Sequence, residues 1–404
     1  MIRRTFKAFQ YRDFRLLWAG AFTSTTGTWM QEIAQNWLVL ELTNSARMLA
    51  LDAFLGDIPI FLFSLIGGVF ADRMDRRKLL LMSQVVQMTS ALTLAVLFGT
   101  HHIHKPQIWI ILLSSFVVGT AQAFGGPAYS ALVPSLVEKE DLPNAIALNS
   151  IQFNLARIIG PVIGGFALKY VGAAWCFGLN GLSFVAVIYS LLALRINFNP
   201  PRTGDSILTG VKQGFGFIRK QGAMETLVGI AFCMTALAIP MITFLPVFAR
   251  NIFHRDEITY TWFLAASGAG AITGALTVAT LGNIPNKGRI ALSMLMLLGA
   301  GIAGFALSHS IAASCILLFI SGAVMMCAFA MIASLVQLIT PNDMRGRVMS
   351  VYNVAFRGGM PFGSIATGWL VPIFTAPAVL SVNGLLLFSL GAYFLFVQRR
   401  VAAL

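Results

Sequence analysis

Twelve separate stretches of this chain are long and apolar enough to cross a lipid bilayer. They cover approximately residues 16–40, 48–71, 79–100, 107–131, 144–168, 174–194, 223–248, 259–281, 290–307, 313–337, 347–370 and 377–397. A spanning helix needs about 20 mainly apolar residues, and its backbone polar groups must all be satisfied inside the segment. Runs of this length and number predict an all-α membrane protein with 12 transmembrane helices. The charge content agrees: 11% of residues are Asp, Glu, Lys or Arg, against roughly 25% in soluble domains.

The net charge of +13 would suggest nucleic acid in a soluble protein, but the positions of the charges point elsewhere. With the N-terminus placed inside, twenty-one of the 28 Lys and Arg fall in inner segments. Five (Arg47, Lys105, Lys169, Arg250 and Arg255) fall in outer loops, and Arg157 and Arg357 lie within spans. This is the positive-inside pattern. It predicts a multi-pass protein of the cytoplasmic (inner) membrane with both termini cytoplasmic, and it makes the basic charge topological, with no nucleic-acid partner. The first apolar stretch runs on past signal-peptide length, which argues against a cleaved leader.

The longest polar break, residues 195–220, divides the spans six and six. Within it Ile207, Leu208, Val211, Phe215 and Ile218 recur at helical spacing, as in a helix lying on the inner membrane surface. The N-terminal TFKAFQYRDFRLLW has a similar character. The halves also echo each other. Arg157-Ile-Ile-Gly-Pro161 in span five matches Arg357-Gly-Gly-Met-Pro361 in span eleven, each after an acidic inner loop, EKEDL and TPNDM. Gly68-xxx-Asp72-Arg73 after span two matches Gly282-xxx-Asn286-Lys287 after span eight. A duplicated six-span unit explains the shared order. The expected domains are 1–194 and 221–404, two pseudo-symmetric six-helix bundles, joined by a cytoplasmic linker with an amphipathic helix at 195–220.

The loop between spans two and three reads Gly68-Val-Phe-Ala-Asp72-Arg73-Met-Asp75-Arg76-Arg77-Lys78. In a 6+6 chain this resembles the signature G-x-x-x-D-R-x-G-R-[RK] of the major facilitator superfamily (MFS), with Asp75 where the family has glycine. The resemblance covers the whole chain and implies the MFS fold. It also implies a gating role for Gly68, Asp72, Arg73, Arg76 and Arg77. Gly68 would allow a close helix approach, and Asp72 would cap the start of span eleven. The basic residues would form salt bridges and rest on anionic head groups. The alternative is a topology determinant alone.

Span five carries ARIIGPVIGG. Gly160, Pro161, Gly164 and Gly165 match part of the motif found in exporters of the family, with Ala147 and Ala156 at two further glycine positions. Such a helix is bent and packs closely. The motif implies export and a sealed interface between halves. FRLLWAG…WLVLELTNSA and GGPAYSALVPSLVEKEDLPNA resemble the branch that holds enterobactin and other siderophore exporters and macrolide-type drug efflux proteins. Many proton-driven drug antiporters carry an arginine in span four, and IWIILLSSFVVGTAQAF has none.

A charge at mid-helix costs about 2.5–3.5 kcal/mol on insertion scales, so charges kept there are functional candidates. They are Glu32, Asp57, Arg157 and Arg357. Thr25, Thr28, Glu32 and Gln35 share a face of span one, with Gln31 and Asn36 alongside. That stripe cannot face lipid, so Glu32 reads as a substrate contact or proton carrier, or else as a buried packing glutamate. Asp57 and Arg357 invite a pair that exists in one access state, with Arg357 as a static partner of backbone carbonyls the alternative. Arg157 is a cavity charge for an anionic or catechol-like substrate, a partner of Asp57, or a static partner of backbone carbonyls. Asn149, Gln152 and Asn353 are further polar cavity candidates.

Cys176, Cys233, Cys315 and Cys327 lie in apolar stretches without metal or redox spacing. His101, His102, His104, His254 and His309 fall in outer loops or at outer span ends. No metal, cofactor, nucleophile–base set or phosphate loop is expected, so the chain is not an enzyme and the energy source is an ion gradient. The expected function is a monomeric secondary transporter that exports a small organic molecule, siderophore or drug, by alternating access and proton antiport. A nutrient importer and a non-transporting sensor or scaffold are the alternatives.

Overall fold

The computed structural model describes residues 6–100, 107–195, 207–281, 285–342 and 344–404. The histidines of HHIH, Gly282, Asp343 and most of the linker's first half lie outside these residues. The described chain is helical throughout, with no strand among the described residues. Twelve long helices follow one another: α1 Arg12–Thr43, α2 Ala46–Arg73, α3 Arg76–Gly99, α4 Ile108–Leu132, α5 Leu142–Val171, α6 Ala173–Ala193, α7 Gly222–Thr243, α8 Glu257–Leu281, α9 Lys287–Leu307, α10 Ile311–Ile339, α11 Arg345–Phe374 and α12 Ala376–Ala392. The linker contributes a separate helix, Ile207–Lys220.

Among the described residues, ten helices are long and apolar enough to cross a membrane. The two long helices outside that set are α1 and α11. Their length suffices: at 1.5 Å per residue, 32 and 30 residues reach about 45–48 Å. Their polarity disqualifies them, and they carry Glu32, Arg357 and Asn353.

The chain divides into two compact units, 1–44 with 55–204, and 45–54 with 205–404. In the first, α1 packs on α5 and α6, and α3 packs on α4 and α6. In the second, α7 packs on α11 and α12, and α9 packs on α10 and α12. The same pairings recur, as a duplicated six-helix plan requires. Small residues set the spacing. A Cβ on Gly119 of α4 would overlap the carbonyl of Gly56, and one on Gly270 of α8 would overlap the carbonyl of Phe319 on α10. Without a hydrophobic drive between helices in lipid, such close backbone approach supplies the packing energy.

The charged loop after α2 is a set of helix caps. The last carbonyls of a helix have no partner in the helix itself, and a cation is favoured beside them. Arg76 donates to the carbonyls of Ala71 (3.1 Å) and Ala131 (2.9 Å), closing α2 and α4. Arg77 donates to those of Leu192 (2.6 Å) and Leu194 (3.2 Å), closing α6. Asp75 occupies the N-cap of α3, where its side chain accepts from the backbone N–H of Arg77 (2.9 Å) and of Lys78 (3.4 Å). The residue that departs from the family pattern therefore starts a helix. Asp72 is half-exposed, 3.9 Å from Arg76. One sequence-based expectation is corrected here. Close packing was expected at Gly68, but a Cβ there would meet nothing within 4 Å. The close approach belongs to Gly67, whose Cβ would overlap the carbonyl of Ala123.

At the same basic end, the turn Lys7–Gln10 is tied to the start of α5. Asp141, almost fully buried, pairs with Lys7 (2.7 Å) and accepts from Tyr11 Oη (2.8 Å) and Gln10 Nε2 (3.0 Å). Asn144 Oδ1 accepts from the backbone N–H of Ala8 (2.8 Å). Hydrogen bonding to Lys7 holds the Asp141 carboxyl below its ordinary range, and the same partnership holds Lys7 above its own. In the second unit the linker helix packs on α11, where a Cβ on Gly214 would lie 2.5 Å from the carbonyl oxygen of Arg347. Trp109, Tyr170, Trp175, Trp262 and Trp369 are exposed near helix ends opposite the basic ones, as in an interfacial aromatic belt.

Two outcomes are expected. Arg77→Ala strands the carbonyls at the end of α6 and lowers stability by about 1–3 kcal/mol, as for other charge-assisted hydrogen bonds; thermal unfolding of the purified protein in detergent reads this as a lower Tm. Because Asp141 titrates below its unfolded value, its clamp stabilises above about pH 4 and is lost as pH falls below that. Limited proteolysis should show the N-terminal segment becoming cleavable from pH 5 to pH 3. In Asp141→Asn it should be cleavable at every pH.

Candidate functional site

The polar face of α1 divides into two parts. One part turns into the first unit and is consumed there. Gln31 is buried, its Oε1 accepting from Asn180 Nδ2 on α6 (2.7 Å) and its Nε2 donating to Gln35 Oε1 (3.4 Å). Gln35 Nε2 donates to Ser115 Oγ on α4 (2.8 Å), and Ser115 Oγ donates to the carbonyl of Ile111 (3.2 Å). This chain of bonds crosses α6, α1 and α4 and fixes the rotation of α1. Thr28 donates back to the carbonyl of Ser24 (2.9 Å).

The other part carries Glu32, which is exposed. Its neighbour across the bundle is Arg157 of α5, which feels the charge of Glu32. The Arg157 guanidinium carbon lies 5.7 Å from the centre of the Trp29 ring, a cation–π distance. Phe153, one turn before Arg157, also meets Trp29, edge-on with ring centroids 6.1 Å apart. The span-five glycines bring these groups together. A Cβ on Gly160 would lie 2.5 Å from Trp29 Cβ and 2.7 Å from the Thr26 carbonyl, and one on Gly164 would lie 2.8 Å from the Met30 carbonyl. Gly160, Pro161, Gly164 and Gly165 are all buried. Within the first unit Gly160 and Gly164 seat α5 against α1.

The arrangement stacks a guanidinium on an indole in the middle of two spans, with a carboxylate one turn along α1 from that indole. The guanidinium stays charged at any working pH, whereas the carboxylate can take a proton. The group changes its net charge by one with a single proton.

The remaining candidates scatter. Asn149 Oδ1 accepts from Tyr129 Oη (3.1 Å). Gln152 is buried and its Nε2 has no partner. Asn36 is half-buried on α1, and Asp57, on α2, belongs to the first unit. Asn353 and Arg357 are exposed, one turn apart on α11 of the second unit. Gly359 and Gly363 seat that helix on α7, beside Thr235 and Ala236. Trp29 and Phe153 were missed by the sequence reading. Their signal was available, since Trp29 stands three residues before Glu32 and Phe153 four before Arg157, the spacings that share a helix face. Among the described residues no group of three or more His, Cys, Asp or Glu is placed to hold a metal ion.

Comparison with known proteins agrees with this architecture. The chain is 26% identical over 389 residues to the enterobactin exporter EntS of Shigella boydii serotype 18, covering 95% of this chain and 91% of that protein. It is 25% identical to EntS of Escherichia coli O139:H28, with the same coverage. Among solved structures, a bacterial homologue of the iron transporter ferroportin in its inward-facing state matches with a TM-score of 0.76. That match has 14% identity and covers 95% of this chain and 98% of that one. A POT family transporter matches with a TM-score of 0.73 at 13% identity, covering 96% of each chain. Residues 4–403 match the MFS_3 family, described as transmembrane secretion effector. The chain is a member of that family, within the major facilitator superfamily of transporters.

Proposed function

We propose that this protein is a secondary transporter that exports a small amphipathic organic molecule from the cytoplasm by alternating access, in exchange for protons. The observation that carries this reading is the Glu32–Arg157–Trp29 group, an ionisable cluster kept at mid-membrane at an insertion cost of about 2.5–3.5 kcal/mol per charge. A scaffold gains nothing from that cost. The family, and the naming of its relatives as enterobactin exporters, support export of a siderophore-like molecule.

The chemistry follows from competition at one carboxylate. Glu32, ionised and exposed, accepts hydrogen bonds from hydroxyl or amine donors of the substrate. Trp29 and Phe153 offer an aromatic wall for its apolar part. Arg157, on the facing helix, supplies a cation near that acceptor. A proton arriving from outside removes the acceptor charge and releases the substrate. The next substrate expels that proton inward. One charge moved through 100 mV supplies about 2.3 kcal/mol, a bias of about fifty-fold. Alternating access would open this site to one side of the membrane and then to the other, with the protein working as a monomer.

Inside-out membrane vesicles with an acidified lumen test the reading, with enterobactin as the probe. The wild-type protein is expected to accumulate it, and Glu32→Gln to lose at least about 90% of the gradient-driven uptake while retaining exchange down a gradient. A variant that still responds fully to the proton gradient would refute Glu32 as the carrier. Gly160→Val pushes Trp29 away from Arg157. It should reduce uptake about tenfold or more in a protein that still inserts. Gly126→Ala, which meets nothing within 4 Å, should be neutral.

A further inference from the structure

The duplicated plan puts an arginine at the same place in each unit, four residues before a proline, but only one of them has a counter-charge in its own unit. Arg157 is half-buried, stacked over Trp29 and facing the charge of Glu32. Arg357 is exposed. Its helix is seated on α7 by Gly359 and Gly363, which meet Phe232, Thr235 and Ala236. At about 100° per residue, Arg357 stands on the face of α11 opposite those glycines, so it points away from α7, whose residues 227–243 include no acid. The other described acids of this unit stand elsewhere. Glu225 is in the first turn of α7, Asp256 and Glu257 are at the start of α8, and Asp52 is buried near the start of α2. No ion pair or hydrogen bond joins Arg357 to a described residue of its unit.

The position makes this costly. Arg357 lies twelve residues into α11, about 18 Å along the helix, which is mid-membrane. A guanidinium with no counter-charge in its own unit cannot face hydrocarbon there. The face shared by Asn353 and Arg357 must therefore be wet, and the cation on it is open to an anion from solution. A guanidinium offers a planar fork of donors that matches a carboxylate, sulfonate or catecholate oxygen pair.

We propose that Arg357 is the substrate-binding cation of this transporter, and that its substrates are organic anions, with Asn353 as a second donor one turn away. Arg157 differs in being half-buried and stacked over Trp29, so its guanidinium face is already occupied. The assignment deepens the transport reading above and rests on it for the word substrate, but anion binding by Arg357 can be tested without flux.

Phenylglyoxal modifies accessible arginines that are not engaged by an acid. In the purified full-length protein, peptide mass spectrometry would follow modification of Arg157 and Arg357, alone and with benzoate or its neutral isostere benzamide. Arg357 is expected to react about tenfold faster than Arg157. Benzoate should slow it about fivefold or more and benzamide should leave it unchanged. Arg357→Gln should then abolish vesicle uptake of carboxylate probes, with Arg357→Lys retaining part of it. Modification of Arg357 as slow as that of Arg157, or equal rates with benzoate and benzamide, would overturn the assignment. Slow modification that quickens in Asp57→Asn would show an Asp57–Arg357 pair in its place. Absence of flux in wild-type vesicles, with benzoate protection intact, would sink the transport reading and leave the anion site standing.

Discussion

Hydrocarbon offers no hydrogen bonds, so every polar group this chain carries into the membrane must find a partner in the protein or a wet surface. The rest of the structure depends on that constraint. Helices satisfy their own backbones along their length, and the difficulty is left at their ends and at a few side chains. Arg76 and Arg77 resolve it at the ends of α2, α4 and α6 by donating to otherwise unpaired carbonyls. The amides of Gln31, Gln35 and Asn180 resolve it in the interior by bonding to one another and to Ser115. What remains is a small number of charges, and those are the candidates for transport.

The two units reach different solutions from one plan. In the first, close-packed glycines of α5 draw Arg157 against Trp29 and toward Glu32, so a cation and an acid share one patch of α1. In the second, Gly359 and Gly363 seat α11 on α7, and Arg357 stands exposed on another face of α11. One duplicated plan thus leaves its two arginines in different surroundings, one stacked on an indole and one exposed.

The fold was legible because its signal is long-range and redundant. Twelve apolar stretches, the bias of Lys and Arg, and the paired Arg-x-x-x-Pro segments each point to the same plan. Hydropathy alone undercounts α1 and α11, because a helix that lines a polar site must give up apolar residues. The site was legible only in part. Intramembrane charges announce themselves by their cost, so Glu32, Arg157 and Arg357 stood out. Trp29 did not, since an aromatic residue in an apolar helix costs nothing and its role appears only when α5 is seated on α1. The glycine pair 67–68 shows a limit of motif reading. The family signature names Gly68, but in this chain the helix surface turns Gly67 toward Ala123. Asp75 shows the reverse case, a departure from the pattern that local chemistry explains as an N-cap.

The central claim is that one face of α1 meets water at mid-membrane. Cysteine labelling in the bilayer tests it most directly, in a background with the four native cysteines replaced. Glu32→Cys should react with a membrane-impermeant maleimide, while Leu182→Cys, on an exposed apolar face of α6, should not. If Glu32→Cys is as inert as Leu182→Cys, the polar face of α1 is dry, and the site described here does not exist.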